Sequence, residues 1–344
     1  MADLGEASVR AAHTVSVVIP VYRGETTLVP LVREILPLTQ PQTTSGGHDW
    51  TVEEVVLVHD GGLDRSDEVI RDLAAAHGFV HPIWLSRNFG QHAATLAGMS
   101  STGSEWIVTL DEDGQFDPND IGRLLDVALA RHAPLVYGSP TNSPPHGRAR
   151  NFLSRSAKAT GTRLLTDGSL PRFSSFRLLL GELGRGVAAY AGPGVYLDVA
   201  LSWVFTSSAL CPVEFRSIHD RPSGYSARKL LSHFLQLVIT SGTRPLRLVS
   251  LSGLVVAVAG VVVAIVLVIG RLLGHFAVPG WTSVTVLVLL LGGANLFALG
   301  VIAEYVGAAV RMAMGKPLYL IISDPSTSPL HRRAAAEETR RTGE

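Results

Sequence analysis

Short β-branched apolar runs alternate with helical periods along the N-terminal part of the chain. Residues 15–21 (VSVVIPV) read as a strand that ends in a loop, and residues 27–36 follow with Leu28, Leu31, Val32 and Ile35 on one helical face. The unit recurs. Strands are predicted at 54–58, 83–85 and 106–110, each followed by a helix, at 66–77, 91–99 and 119–130. Strands covered by helices on both sides are almost continuously apolar, as VVLV and WIVTL are, so the pattern predicts an α/β domain with a mostly parallel, Rossmann-like sheet. Residues 40–48 and 139–147 carry the Gly, Ser, Thr and Pro of exposed loops, and the second is expected to border an active site.

The C-terminal part follows a different pattern. Residues 248–270 and 276–303 contain no Asp, Glu, Lys or Arg. At about 1.5 Å per residue each can cross a hydrocarbon core of about 30 Å, so two transmembrane helices are predicted. A hydrophobic hairpin buried in a soluble core is the alternative. Arg244, Arg247, Arg311 and Lys316 flank the runs while their connection carries only Arg271 and His275, which puts the connection outside and both termini in the cytoplasm. Residues 225–239 (YSARKLLSHFLQLVI) alternate basic and apolar positions at helical spacing and read as a membrane-surface helix. The expected organisation is a flexible lead at 1–14, a catalytic domain at 15–224, the surface-helix region at 225–247, the hairpin at 248–310, and a cytoplasmic segment at 311–344. The polar stretch from Ser323 onward is expected to be disordered.

Composition adds limits. Twenty-nine basic and 29 acidic residues cancel among 344, so no charge excess points to nucleic acid, and the mean hydropathy of +0.28 reflects the apolar runs. The single cysteine, Cys211, excludes an internal disulfide and reads as a packing residue. The first fourteen residues contain Asp3 and Glu6 and no apolar core, unlike a secretory leader.

In a parallel sheet the ligand lies beyond the carboxyl ends of the strands, where Tyr22, Asp60, Arg87 and Asp111 fall. The run Asp111-Glu112-Asp113 ends one such strand. Alternate residues of an extended stretch point the same way, so Asp111 and Asp113 can share a divalent cation while Glu112 turns aside. Such a cation neutralises the charge that develops as a nucleoside diphosphate leaves a sugar.

The segments VSVVIPVYRGETTL, VVLVHDGGLDRSDEVI, LSRNFGQHAATLAGM and LDEDGQFDPNDI resemble the inverting family 2 glycosyltransferases with a GT-A fold. SSFRLL at 174–179, HDRPSGYS at 219–226 and AEYVGAAVRMAMGKPLYLI at 303–321 resemble the branch that loads sugars onto polyprenyl phosphates, and the likeness covers most of residues 15–320. The resemblance implies donor contacts at Pro20, Tyr22, Glu25, Asp60, Asp111, Gln115 and Arg177, with Asp60 on the base or ribose and the Arg177 guanidinium on the diphosphate. It implies Mg²⁺ or Mn²⁺ on Asp111 and Asp113, with Asp113 and Arg177 as catalytic groups. It also implies a homo-oligomer, a tetramer in some relatives. A lipid phosphate needs fixed positive charge near the bilayer, for which Arg148, Arg150, Arg155, Arg221 and Arg228 are candidates, with Ser226 beside them. The cluster 148–155 reads equally as a basic face touching anionic lipids. Glu304 lies near the end of the second run and reads as interfacial or paired across an oligomer contact.

This chain departs from the family pattern at four places. His59-Asp60-Gly61-Gly62 stands where relatives have Asp-Asp-Gly-Ser, and Arg23-Gly24 stands where they have Asn-Glu. Pro171 occupies the place of an acid considered a base in some relatives, with Asp167 four residues back, and Gly138-Ser139-Pro140 lacks their arginine. No general base is assigned, and a phosphate monoester, largely dianionic near neutral pH, attacks without one. The function expected is transfer of one sugar, UDP-hexose being the favoured donor, to polyprenyl phosphate at the cytoplasmic membrane face. A polysaccharide-extending glycosyltransferase and a membrane-bound sugar-nucleotide sensor or scaffold without turnover are the alternatives.

Overall fold

A computed structural model describes residues 12–142, 174–192, 196–205, 207–216, 281–314 and 317–328, with isolated positions between 253 and 273. The chain divides into two units, one of residues 1–151, 169–223 and 317–344, the other of 152–168 and 224–316.

The first unit is built on a nine-stranded sheet. The strands are β1 (His13–Val21), β2 (Gln42–Thr43), β3 (Asp49–His59), β4 (Val80–Leu85), β5 (Trp106–Thr109), β6 (Leu135–Pro140), β7 (Arg177–Leu180), β8 (Ala209–Val213) and β9 (Ile321–Ile322). Their order is β8-β6-β7-β5-β1-β3-β4-β9, with β2 pairing on β3 as a short antiparallel hairpin. β5, β1, β3 and β4 pair in parallel, as do β6 and β8. The sheet is mostly parallel, as expected; besides the short β2 and β9, the antiparallel strand is β7, inserted between β5 and β6 and antiparallel to both. Reversal sets Arg177, its first residue, opposite Thr109 at the carboxyl end of β5. Residues far apart in sequence therefore meet at one edge.

The predicted helices appear as α1 (Leu28–Ile35), α2 (Ser66–Ala76), α3 (Gln91–Ser100) and α4 (Ile121–Arg131), followed by α5 (Gly181–Tyr190) and α6 (Leu197–Val204). Helix α1 buries the predicted face, Leu28, Leu31, Val32 and Ile35. Its continuation tightens into a 3-10 turn over Leu36–Thr39, which takes Pro37 in its first turn, where the missing N–H costs nothing. Helix α3 has no polar face: Ala93 to Met99 are all buried, as befits a helix covered on every side. It lies close to the sheet because Gly98 has no side chain. A Cβ there would stand 2.4 Å from Val18 Cγ1 and 2.9 Å from Val58 Cγ2. Strand β1 is buried from Val15 to Val21, and Ser16, the polar residue among them, donates to Glu54. Cys211 is buried as expected, and burial pushes its thiol up, away from the reactive thiolate.

The 40–48 segment is largely exposed, as expected, but part of it is β2, and beyond it Thr44, Ser45 and the Gly46 amide all donate to Asp126 of α4. One expectation is corrected. The polar stretch from Ser323 onward begins as ordered chain. Asp324 caps a 3-10 turn, Pro325–Thr327, and accepts both Arg71 Nε contacts at 2.9 and 3.1 Å.

In the second unit, α7 (Trp281–Ala313) runs for 33 residues. Among the described residues no helix is long and apolar enough to cross a membrane. The α7 sequence itself has no Asp, Glu, Lys or Arg before Glu304, and Val284, Val288, Leu296, Phe297 and Val306 lie exposed along it. The first apolar run contributes isolated helical positions between 253 and 269, and the predicted surface helix lies outside the described residues.

Candidate active site

Three loops meet at the carboxyl edge of β1, β3 and β5, and hydrogen bonds stitch them together. Gly24 N–H donates to Ser66 Oγ at 2.7 Å, Glu25 N–H to Asp64 at 3.2 Å, and Arg65 N–H to Glu25 at 3.3 Å. Burial alone would raise the Asp64 carboxyl, but hydrogen bonds from Ser66 and Glu25 outweigh it and hold it low. Glu25 is thus engaged with the second loop's backbone. The departure at Gly62 has a steric cause: a Cβ at that position would lie 2.0 Å from the Tyr22 carbonyl oxygen. Gly61 beside it has φ +65°, the left-handed conformation that glycine adopts without strain.

Asp60 sits at the end of β3, 3% exposed. One carboxylate oxygen accepts the Phe89 N–H at 2.7 Å and the other the Gly90 N–H at 2.8 Å. Burial pushes its carboxyl up, and those two bonds and the Arg87 charge oppose the shift. Asp60 therefore holds the β4–α3 loop, a role its sequence context did not disclose. Its neighbour His59 is buried against Trp84, ring centroids 5.4 Å apart, and burial lowers its pKa.

The acidic run lies at the end of β5. Glu112 turns aside, as expected, and accepts the backbone N–H groups of Tyr22 at 2.9 Å and Arg23 at 3.0 Å. Asp111 accepts from Gln91 Nε2 at 2.6 Å and from Ser175 Oγ, and Asp113 accepts from the Gln115 N–H at 3.1 Å. Burial pushes the Asp111 carboxyl up; Asp113 adds to the shift, while Ser175 and Arg177 oppose it. A cation between the two carboxylates would reverse that shift, so the pair suits a hard divalent ion. Among the described residues no group of three or more His, Cys, Asp or Glu converges on one point.

Asp111 lines a cavity of about 130 Å³ together with Pro20, Gln91, His92, Ser175, Arg177 and Asp198 among others. Arg177 is 4% exposed; its Nη1 donates to Asp198, and the Tyr137 hydroxyl donates to the same carboxylate oxygen at 3.2 Å. Arg177 Nε is buried with no hydrogen-bond partner among the described residues. Burial and the Asp198 charge push the Tyr137 hydroxyl up, so it stays a donor.

Of the sequence candidates, Pro20, Asp111 and Arg177 line this cavity, and Tyr22, Asp113 and Gln115 belong to the loops around it. Glu25 and Asp60 tie loops together. Arg148, Arg150, Arg155, Arg221, Ser226 and Arg228 lie outside the described residues. Sequence reasoning missed Gln91, Ser175 and Asp198. The signal for Asp198 is a lone acid in the first turn of the apolar helix LDVALSWV.

The family described as Glycosyl transferase family 2 matches residues 16–183. The undecaprenyl-phosphate 4-deoxy-4-formamido-L-arabinose transferase of Photorhabdus laumondii is 30% identical over 316 residues, 89% of this chain and 93% of that protein. The protein of the same name from Enterobacter sp. strain 638 is 28% identical over 320 residues, 91% of this chain and 94% of that one. The solved glucosyl-3-phosphoglycerate synthase of Mycobacterium tuberculosis in complex with phosphoglyceric acid gives a TM-score of 0.47 at 18% identity, covering 68% of this chain and 81% of that one.

Proposed function

The chain belongs to glycosyl transferase family 2, and from that membership we propose that it moves a single sugar from a nucleotide-sugar donor to polyprenyl phosphate, inverting the anomeric carbon. The observation that carries this reading is Asp111 and Arg177 lining one cavity at the carboxyl edge of the sheet, with Asp113 two residues from Asp111. The 89% coverage by an undecaprenyl-phosphate sugar transferase supports the acceptor class. UDP-hexose is the donor favoured by the family resemblance.

Asp111 and Asp113 would hold Mg²⁺ or Mn²⁺, which when bound supplies Lewis-acid stabilisation to the departing diphosphate. Gln91 and Ser175 orient the Asp111 carboxylate by donating to its two oxygens. Arg177, fixed by Asp198, presents a guanidinium to the cavity, where it stabilises negative charge developing on the donor. The acceptor phosphate oxygen attacks C1, the C1–O bond to the diphosphate breaks, and the electron pair leaves on the nucleoside diphosphate. Since the phosphate monoester is already largely dianionic, no side chain need remove a proton.

The apolar runs supply the route to the lipid. We read the uncharged runs 248–270 and 276–303 as two membrane spans, with the catalytic unit and both termini on the cytoplasmic side, from their length and the flanking basic residues. Confining enzyme and acceptor to one interface turns a dilute encounter into a positioned one.

Labelled UDP- and GDP-sugars, incubated with the purified full chain, undecaprenyl phosphate and Mg²⁺ or Mn²⁺, should deliver label to the organic phase. Chelation, omission of the lipid, or Asp111→Asn with Asp113→Asn should lower that label at least about a hundredfold. Undiminished product after both aspartates are replaced would refute the metal role, and product without lipid phosphate would refute the acceptor.

A further inference from the structure

The segment 319–324 comes after α7 in sequence and packs on the edge of the sheet, where it touches β4 and α3, which border the β4–α3 loop, and α2. Ile321 and Ile322 pair antiparallel with Leu85 and Trp84, the last residues of β4, and the Ser86 N–H donates to the Leu320 carbonyl at 3.0 Å. The Tyr319 hydroxyl meets Ser100 Oγ, at the far end of α3, at 3.0 Å. Asp324 takes the Arg71 guanidinium from α2, and the same guanidinium bonds Asp67 at 2.9 Å and stands 5.0 Å above the Trp84 ring.

The loop so bordered is Ser86 to Gly90. Its far end is held by Asp60 through the Phe89 and Gly90 amides, and its near end by Leu320, the residue before β9, through the Ser86 amide. Between these anchors Arg87 is exposed, its guanidinium 4.0 Å from the Phe89 ring centroid, at the carboxyl edge where the donor is expected. A two-residue strand contributes few backbone bonds, so the Arg71 Nε–H, shared between both Asp324 oxygens, adds a charge-assisted tie that helps keep β9 in place. An edge strand also shields β4 from pairing with other chains, and a merely protective role would leave the loop's behaviour unchanged when this ion pair is cut.

We propose that β9, fastened by Asp324 to Arg71, is a positioning element for the donor-binding loop Ser86–Gly90, so that the C-terminal segment sets nucleotide affinity from outside the cavity. The proposal rests on the reading of the β3 and β4 carboxyl ends as the nucleotide site. Asp324 is the positioning residue, acting through Arg71, Trp84 and β4, and it touches no reacting atom.

The test uses the full chain in detergent with Asp324→Ala, Asp324→Glu and Tyr319→Phe. Ligand-free hydrogen exchange should quicken about tenfold or more at Phe89 and Gly90 in Asp324→Ala, with the amides of β1 unchanged, and Asp324→Glu should restore most of the protection. In the transfer assay the donor KM should rise about fivefold or more in Asp324→Ala with kcat within about twofold, and Tyr319→Phe should show a smaller shift the same way. Unchanged exchange at Phe89 and Gly90, equal loosening of β1 and the loop, or a KM that does not move would each overturn the proposal. If the wild-type chain turned over no nucleotide sugar, the functional reading would fail, whereas the exchange measurement would still decide whether β9 holds the loop.

Discussion

Truncating Asp198 removes the carboxylate that, among the described residues, bonds a deeply buried guanidinium. The Arg177 side chain is 5% exposed and its Nε has no hydrogen-bond partner among the described residues, so Asp198→Ala leaves a buried charge with few compensating contacts there. Stripping one member of a buried ion pair costs about 3–5 kcal/mol, and the Tyr137 hydroxyl loses an acceptor at the same time. A loss of about 4 kcal/mol at about 2–4 °C per kcal/mol lowers Tm by about 8–16 °C in a domain of this size. The double variant Arg177→Met/Asp198→Leu removes both charges, and buried pairs replaced by apolar groups are often no less stable, so most of the lost Tm should return. Thermal unfolding of the detergent-solubilised full chain by near-ultraviolet circular dichroism reads both effects, and the cycle closed with the single variants Arg177→Met and Asp198→Leu isolates the coupling. The single and double variants should all fail in sugar transfer, which separates the pair's stabilising role from its role in the cavity. An Asp198→Ala protein melting within about 2 °C of wild type, or a double variant no more stable than Asp198→Ala, would refute this account.

Other perturbations test other parts of the structure. Gly62→Ser pushes a Cβ toward the Tyr22 carbonyl and should cost about 1–3 kcal/mol in chemical denaturation while raising the donor KM, although serine is the residue relatives carry there. Gly98→Ala gains about 1 kcal/mol of helix propensity but must push Val18 and Val58 aside, so a net loss of stability is expected; a stabilised variant would show that α3 can move off the sheet. Burial alone would raise the Asp324 carboxyl, yet the Arg71 bonds outweigh it and hold it low, so its contribution is present above the ordinary carboxylate pKa of about 4 and is lost as pH falls through the lower folded value. The Tm difference between wild type and Asp324→Asn should accordingly be full at neutral pH and shrink in acid; a difference that grew on acidification would contradict the sign.

The βα rhythm was legible because buried parallel strands are nearly uninterrupted runs of Val, Ile and Leu, and β1 and the end of β3 show that directly. Asp111 was legible for a related reason, since an acidic run closing an apolar strand must fall at the carboxyl edge of the sheet. Direction was not legible in β7: RLLL pairs equally well either way, and its reversal is a matter of tertiary arrangement. Asp60 sits where expected, but that its oxygens bind the Phe89 and Gly90 amides depends on a loop almost thirty residues further on. Asp198 gave only a faint signal because one acid near a helix start is common, and its meaning comes from Arg177 across the fold. Strand β9, two isoleucines before a polar stretch, lies below the length at which alternation can be read.

Cys211, 2% exposed and with its ionisation held back by burial, has a practical value. A chain whose sole sulfhydryl is packed away reacts slowly with maleimides, so one engineered cysteine at an open position such as Leu63, 87% exposed beside the site, would accept a spectroscopic label over little background. Movements of the loops around the cavity could then be followed in the otherwise unaltered protein.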